Sequence, residues 1–393
     1  MKRRLLIAGM ILGSLLLLLV VGAIVSIPIL HSKYGGGRRM EDQTTMPLIL
    51  ASQTEIVADL DYPPGNIAVS KDGRIFFTYH PSGGAPDKLL ELIGVSPQPY
   101  PPPPKEGEDG EPPAGPPPKL QSPLAVRIDQ QNRLWVLDYA RFGIGQPRLL
   151  AFDLSTDQLA HRYDFPPEVA GFLSMVNDFQ VDPTGTKIYI ADASPIKQTP
   201  AIIVYDTVAK SSRRLLENAH SVQAQDYVIQ APGRDMTVFD IITLRIGVDS
   251  IALDKRGEWL YYGPLSGDRL YRIATKDLND ESLTPGDLAE RVEDYGPKTI
   301  SDGLSIDEHD NIYITDPEHS AILSLSPDRQ LKTLVKDSPL RWPDGLSFAP
   351  DGWLYVTCSA LHQIEFRGSG ELKAHAPYQI VRFRPGSMGV PGQ

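Results

Sequence analysis

The fold this sequence predicts is all-β, a six-bladed β-propeller. Three observations predict it: a hairpin pattern that recurs six times, a composition rich in turn-forming residues, and one unassigned strand ahead of the first copy where the last copy lacks one. With 393 residues the chain suits either two domains or one large repeat-built domain, and 41% hydrophobic residues allow ample burial. The 33 glycines and 36 prolines predict many turns and short elements.

Before the repeats comes an apolar segment. Lys2-Arg3-Arg4 precedes Leu5–Leu30, 26 residues without a charge. At ~1.5 Å per residue a helix of that length exceeds the ~30 Å core of a bilayer. The preceding basic residues favour the cytoplasmic side, which places the rest in the periplasm or outside the cell. The rival reading is a signal peptide cleaved near residue 26, giving a secreted protein. However, the run is long for a signal core and Gly22-Ala23-Ile24-Val25-Ser26 makes a poor cleavage site. The predicted organisation is an anchor over 1–33, a linker over 34–53 with a flexible Tyr34-Gly35-Gly36-Gly37 tether, a propeller over 54–385 and a tail over 386–393.

The six copies are Ile67-to-Tyr79 (IAVSKDGRIFFTY), Ala125-to-Asp138 (AVRIDQQNRLWVLD), Phe179-to-Asp192 (FQVDPTGTKIYIAD), Ile251-to-Gly263 (IALDKRGEWLYYG), Leu304-to-Asp316 (LSIDEHDNIYITD) and Leu346-to-Cys358 (LSFAPDGWLYVTC). Each reads as a short strand, a tight polar turn and a strand rich in Ile, Val, Tyr and Trp, which is a β-hairpin. The turns fall at Gly73, Asn132, Gly185, Gly257, Asp310 and Gly352, spaced 59, 53, 72, 53 and 42 residues apart. Third strands are predicted at Arg148–Asp153, Ala201–Asp206, Arg269–Ile273, Ala321–Leu325 and Tyr378–Arg382. Fourth strands are predicted at Leu159–Tyr163, Ser212–Leu216, Ala289–Val292 and Leu331–Val335. The sixth copy has no fourth strand after it, so Thr54–Leu60 is predicted to complete that blade and close the ring. Trp135, Tyr189, Tyr261, Tyr313 and Tyr355 recur on the second strands and predict packing between blades. Pro97–Pro118 holds eleven prolines and predicts an extended loop without strand or helix, either a docking motif or a passive insertion.

Charge narrows the function classes. The net charge is −11, and the six basic residues before Met40 face no acid there. From Met40 onward 32 basic residues oppose 49 acidic ones, which argues against nucleic acid and for cations, metal ions or amines. The single Cys358 allows no internal disulfide and no Cys-based zinc site, and reads as a buried apolar residue. There is no HExxH, GxSxG, Walker A or GxGxxG-plus-helix pattern, and His80 and His220 read as surface or structural.

The candidate site follows from radial symmetry. Counting back eight residues from each turn gives Gly65, Leu124, Asn177, Asp249, Asp302 and Asp344, with Asn66 and Asp178 adjoining two of them. These positions enter the innermost strands at one end of the channel, where three carboxylates and one or two amides would converge. Such carboxylates raise one another's pKa unless a cation compensates, so Ca²⁺, Mg²⁺ or an amine ligand fits. The bland alternative is that each acid or amide caps its own strand start by bonding backbone N–H groups.

GNIAVSKDGRIFF (Gly65–Phe77), SPLAVRIDQQNRLWVLD (Ser122–Asp138), DSIALDKRGEWLYYGPLSGDRLYRI (Asp249–Ile273) and SDGLSIDEHDNIYITD (Ser301–Asp316) resemble the major royal jelly protein/Yellow family. The low cysteine count departs from secreted insect members and points to a bacterial-type relative. More distantly, VNDFQVDPTG (Val176–Gly185) and SDGLSID are similar to blade motifs of the gluconolactonase/regucalcin group. The first resemblance implies ligand capture in the channel, with biogenic amines as one class. The second implies a divalent metal on the axis held by Asn177, Asp249 and Asp302, with Asp302 also the base of a lactonase-like reaction. In this sequence Asp249 stands where an Asn is usual, and Asn66 beside Gly65 replaces the group's Glu. Asn66, Asp178 and Asp344 are then the expected ligand-binding positions. An envelope scaffold acting through the rim loops and the Pro-rich segment is the third reading.

Overall fold

The computed structural model describes residues 26–102 and 119–393. Six four-stranded antiparallel sheets stand around one axis. Their inner strands are Pro64–Val69, Pro123–Ile128, Val176–Val181, Val248–Leu253, Leu304–Ile306 and Pro343–Phe348. In the last sheet the order runs inward-to-outward from Pro343–Phe348 through Leu354–Cys358 and Tyr378–Phe383 to Glu55–Leu60. The strand ahead of the first copy therefore closes the ring, with Leu60 opposite Tyr378 and Glu55 opposite Arg382.

The hairpins form where the sequence places them because all six turn residues adopt the left-handed conformation. Their φ values are 85° at Gly73, 60° at Asn132, 71° at Gly185, 73° at Gly257, 62° at Asp310 and 83° at Gly352. Gly, Asn and Asp reach that region at least cost. Four of the turns are clamped by an aspartate three residues earlier. Asp129, Asp182, Asp254 and Asp307 each accept backbone N–H bonds from across their own turn.

Adjacent sheets meet over separate apolar clusters. Trp135, Tyr189, Tyr261, Tyr313 and Tyr355 each belong to a different one, and Phe76 occupies the matching place in blade one. Burial of each such ring contributes about 2–3 kcal/mol to the blade contact. Their regular recurrence is therefore packing.

Some elements differ from expectation. The fourth strand of blade four is Glu293–Pro297, and the predicted Ala289–Val292 falls half in the helix Pro285–Glu290 and half in the turn that follows it. Thr284 and Asp287 form a reciprocal capping box there with proline in the first turn, a local signal stronger than the short apolar run. Blade one takes Leu89–Ile93 and Ser96–Pro99 as its outer strands, so Pro97 and Pro99 do lie in a strand. It is an outermost strand, where the N–H that proline lacks would point to solvent. Residues 103–118 of the Pro-rich stretch lie outside the described residues, as does the predicted membrane span up to residue 25. Residues 26–34 are helical, and among the described residues no helix is long and apolar enough to cross a membrane.

Two peripheral segments are fixed to the body. Leu48 N and Ile49 N donate to Thr333 O (3.1 Å) and Leu334 O (2.7 Å) along blade five. At the turn-side end of the channel, Ile128 N donates to Gly392 O (2.9 Å), Phe348 N to Gln393 O (3.2 Å) and Gln393 Nε2 to Val181 O (3.3 Å). Segment 389–393 thus lies across that end, and the strand-start end is the mouth.

Neighbouring blades approach one another closely at the mouth. A Cβ on Gly303 would lie 1.8 Å from the carbonyl oxygen of Asp344, a backbone atom that cannot yield. Gly303→Ala is expected to destabilise the propeller by about 2 kcal/mol or more, read from the urea midpoint at unchanged m value. A neutral substitution would show that blades five and six are not held at this distance.

Candidate functional site at the channel mouth

Asn66, Asn177, Asp178, Asp249, Asp302 and Asp344 all lie at the mouth, all buried, contributed by five blades. They sit where the inner hairpins change register. The shift falls between Pro64 and Ile67, Val176 and Asp178, Val248 and Ser250, and Pro343 and Leu346. A bulge turns the strand locally and re-aims its side chains. Threonines of the second strands hold this geometry. Thr78 Oγ1 accepts from Asn66 N (3.1 Å) and donates to Leu124 O of the next blade (2.6 Å). Thr315 Oγ1 accepts from Asp302 N (3.0 Å) and Gly303 N (2.8 Å). Thr357 Oγ1 accepts from Gly345 N (2.9 Å) and donates to Gly65 O of blade one.

The polar groups divide into two halves. On one side Arg127, 1% exposed, reaches both neighbouring blades. Its guanidinium donates to Asn66 Oδ1 and pairs with Asp178 at 2.8 Å. Asn66 Oδ1 also accepts from Ile67 N (2.8 Å) and Asp178 Oδ1 from Phe179 N (2.9 Å), so these two do cap their own strand starts. Burial nevertheless pushes Asp178 up to about 6, with Arg127 opposing the shift.

On the other side three carboxyls face one another without a matching cation. Asn177 Nδ2 donates to Asp249 Oδ1, and Asp249 and Asp302 share a carboxyl–carboxyl hydrogen bond. Asp302 Oδ2 also accepts from Trp342 Nε1 at 2.5 Å. Burial raises Asp249 well above the carboxylate range, reinforced by Asp302 and then Asp344, and burial with repulsion from Asp302 does the same to Asp344. Asp302 is raised by burial and held back by its bonds to Asp249 and Trp342. The carbonyl oxygen of Asn177 is buried with no hydrogen-bond partner. Asp249 and Asp302 are thus in hydrogen-bond reach of each other, with Asp344 near enough to raise Asp249 and the free lone pair of Asn177 beside them; the three carboxyls do not, however, bring ligand atoms within 4.8 Å of one another as Asp316, Glu318 and His319 do.

Several groups around this cluster carried weak sequence signals. Arg127 stands where the other inner strands have Ala68, Gln180, Ala252, Ser305 and Ser347, so a lone Arg in a buried strand was its mark. Trp342 stacks on His362 (centroids 6.1 Å apart, 17° between planes), and the His362 imidazole is pushed down to about 4 by burial. The turn bearing it is tied to the blade-three insertion by Arg234 Nη1, which donates to His362 O (3.1 Å) and Glu365 O (2.9 Å). Lys298 is fully buried and donates to Thr299 O (2.9 Å); burial pushes it down to about 7, against the pull of Asp268 and Asp249. No motif marks these four, because their roles come from blades distant in sequence.

Other candidates are structural. Asp316, Glu318 and His319 bring three ligand-type atoms within 4.8 Å of one another. Asp316, though, accepts the N–H groups of Glu318 and His319, and Glu318 Oε1 that of Gln230 at 2.6 Å. His80 is buried, capping a turn by accepting from Ser82 N (3.2 Å), and Cys358 is a buried free thiol. A cleft of about 350 Å³ beside Phe172, Lys197 and Arg214 lies off the axis. Arg214 there is consumed by Asp192, Glu217, Val169 O and Thr199 O.

A sequence model of the family described as major royal jelly protein matches residues 121–368. Major royal jelly protein 7 of Apis mellifera is 31% identical over 168 residues, 40% of this chain and 36% of its own length. Major royal jelly protein 3 of the same organism is 29% identical over 172 residues, 41% of this chain and 30% of its own length. The matched stretch is thus about a third of those relatives. Among solved structures, a calcium-binding protein, regucalcin, from Agrobacterium tumefaciens aligns with a TM-score of 0.52 at 13% identity, over 86% of this chain and 96% of that one. A gluconolactonase from Xanthomonas campestris aligns with a TM-score of 0.50 at 11% identity, over 84% and 88%. At such identities the likeness is one of fold.

Arg127→Met is expected to cost about 3–5 kcal/mol in unfolding free energy at pH 7, because it strands the buried Asp178 carboxylate. The double variant with Asp178→Asn should recover a large part. If the single variant keeps wild-type stability, the ion pair does not hold that half of the mouth.

Proposed function

This chain belongs to the major royal jelly protein family, and we propose that it is an exported, membrane-anchored propeller that captures a divalent cation or a cationic small molecule at the acidic mouth of its channel. The observation that carries the reading is the Asp249–Asp302–Asp344 cluster beside the unpartnered carbonyl of Asn177. Buried like charges are costly unless neutralised, and here protons do what a cation would do better. Asn177, Asp249 and Asp302 are the residues that would hold Ca²⁺, with Asp344 adding charge, and all four offer hard oxygen donors. Arg127 occupies the opposite half against Asn66 and Asp178, so those two would orient an organic ligand and leave the ion to the other side. The fold shared with a protein described as calcium-binding agrees with this.

Lactone hydrolysis is the second reading, favoured by Asp302, whose buried carboxyl is held by Trp342 as a positioned base would be. A bound cation would supply polarisation of a carbonyl oxygen. Asp302 would orient or deprotonate water, and the burial of the site would exclude the bulk solvent. A lactone panel decides this: turnover lost in Asp302→Asn supports hydrolysis, and none with wild type removes it.

Cation binding has a stability signature. Asp178 is raised to about 6 from 3.8 and Asp249 and Asp344 are raised too, so the cation-free fold holds more protons than the unfolded chain from about pH 4 to 6. Unfolding free energy then falls as pH rises through that window. With chelator, the urea midpoint of the full chain in detergent is expected to drop from pH 4.5 to pH 7, and saturating Ca²⁺ should restore it. Asp249→Asn is expected to raise the cation-free midpoint at pH 7 and lower Ca²⁺ affinity at least about tenfold by calorimetry. A protein with no binding heat for Ca²⁺ or Mg²⁺ and a chelator-independent midpoint would refute the cation reading.

A further inference from the structure

We propose that the mouth face of the propeller lies against a lipid bilayer, so that the acidic site opens toward the membrane–water interface. This rests on the membrane-anchored reading above and adds an orientation to it. The first observation is where the chain enters the body. Residues 34–38 are tied to the long insertion between blades three and four. Arg245 Nη1 donates to Tyr34 O (2.9 Å), and Arg245 Nη2 (3.0 Å) and Thr243 Oγ1 (2.7 Å) donate to Gly36 O. Arg38 pairs with the backbone of Asp226 and Val228 and lays its guanidinium 4.5 Å from the Tyr227 ring centre. That insertion joins Ser211–Leu215, which ends at the mouth, to Val248–Leu253, which starts there. The helix over residues 26–34, at the end of the apolar run, therefore meets the propeller at the mouth face, with Ile27, Ile29 and Leu30 exposed.

The second observation is independent of the anchor. Among the described residues the exposed aromatic side chains are Tyr34, Phe172, Phe239 and Phe366, and all four lie on mouth-face segments. Phe172 precedes the inner strand of blade three, and Phe366 lies between the second and third strands of blade six. Phe239 tips the hairpin formed by Thr237–Val238 and Ile242–Thr243 and is 84% exposed. Ile144 and Ile196 are exposed on two more mouth loops, whereas the turn-side face exposes Ile93, Val95, Val208 and Met388 and no aromatic. The propeller's topology puts its longer connections on the mouth face, but packing gives no reason for the exposed side chains there to be aromatic. A bilayer has one, since aromatic rings partition to its headgroup level.

The test uses the full chain in vesicles of zwitterionic and anionic phospholipid doped with a nitroxide-labelled lipid. Single cysteines replace Phe172, Phe239, Phe366 or Val208 and carry a polarity-sensitive fluorophore; Cys358 is buried and does not compete. Blue-shifted emission and several-fold lipid quenching are expected at the three Phe positions, with Val208→Cys unaffected. Quenching at Phe239 alone, or equal signals on both faces, in vesicles that do carry the protein overturns the orientation while leaving the anchor. Failure of the chain to float with the vesicles overturns anchor and orientation together. Neither failure touches cation binding, which is read separately.

Discussion

Like carboxyl groups do not gather in a protein interior unless something else holds them there, and here ring closure holds them. The six sheets are locked by their mutual packing and by the early strand that completes the last blade. Once closed, the ring leaves each inner strand no freedom to turn its first residues outward. Asp249, Asp302 and Asp344 are therefore held near one another at the axis, where burial and mutual repulsion raise Asp249 and Asp344, while Trp342 donates to Asp302 and the distant charge of Arg127 opposes the shift at Asp344. Hydrophobic contacts between the blades supply the free energy that sustains this arrangement.

The acidic residues of this chain divide into two kinds by what they bond. Asp129, Asp182, Asp254 and Asp307 clamp hairpin turns. Asp138, Asp192 and Asp316 accept N–H groups where second strands end. Those seven resolve local backbone needs and would be required in a propeller with no ligand at all. Of the three axial carboxyls, Asp249 and Asp302 bond to each other and to Asn177 and Trp342 from other blades, and Asp344 bonds to Ser359 of its own blade. Those seven are scaffold, and the part with chemical potential is small and central.

The two faces of the ring have different characters for a topological reason. Every connection between blades, and every connection from second to third strand, lies at the mouth. The turn-side face has tight hairpins and is crossed by residues 389–393. Long insertions, exposed rings and the incoming N-terminal segment therefore all share the face on which the carboxyls open. Trp342, stacked on His362, lies beside the cluster, and the blade-three insertion braces the turn after them through Arg234.

Much of this was legible in the sequence, because it is local. Alternation and turn chemistry gave the hairpins, and the turn residues Gly73, Asn132, Gly185, Gly257, Asp310 and Gly352 all needed positive φ, which their residue types permit. Equal offsets from those turns then pointed to Asn177, Asp249, Asp302 and Asp344, since a repeat places equivalent residues at equivalent heights. What the sequence left open was every interaction between blades. Nothing in the local pattern says that Arg127 bridges Asn66 and Asp178, that Trp342 holds Asp302, or that Lys298 is buried near Asp249. Local reading also placed a strand over Ala289–Val292, where a capping box made a helix, and denied one to Pro97 and Pro99, which an outermost strand tolerates. Height along the axis is a property of one hairpin and can be read from it. Partnership across the axis exists only once six hairpins share a centre.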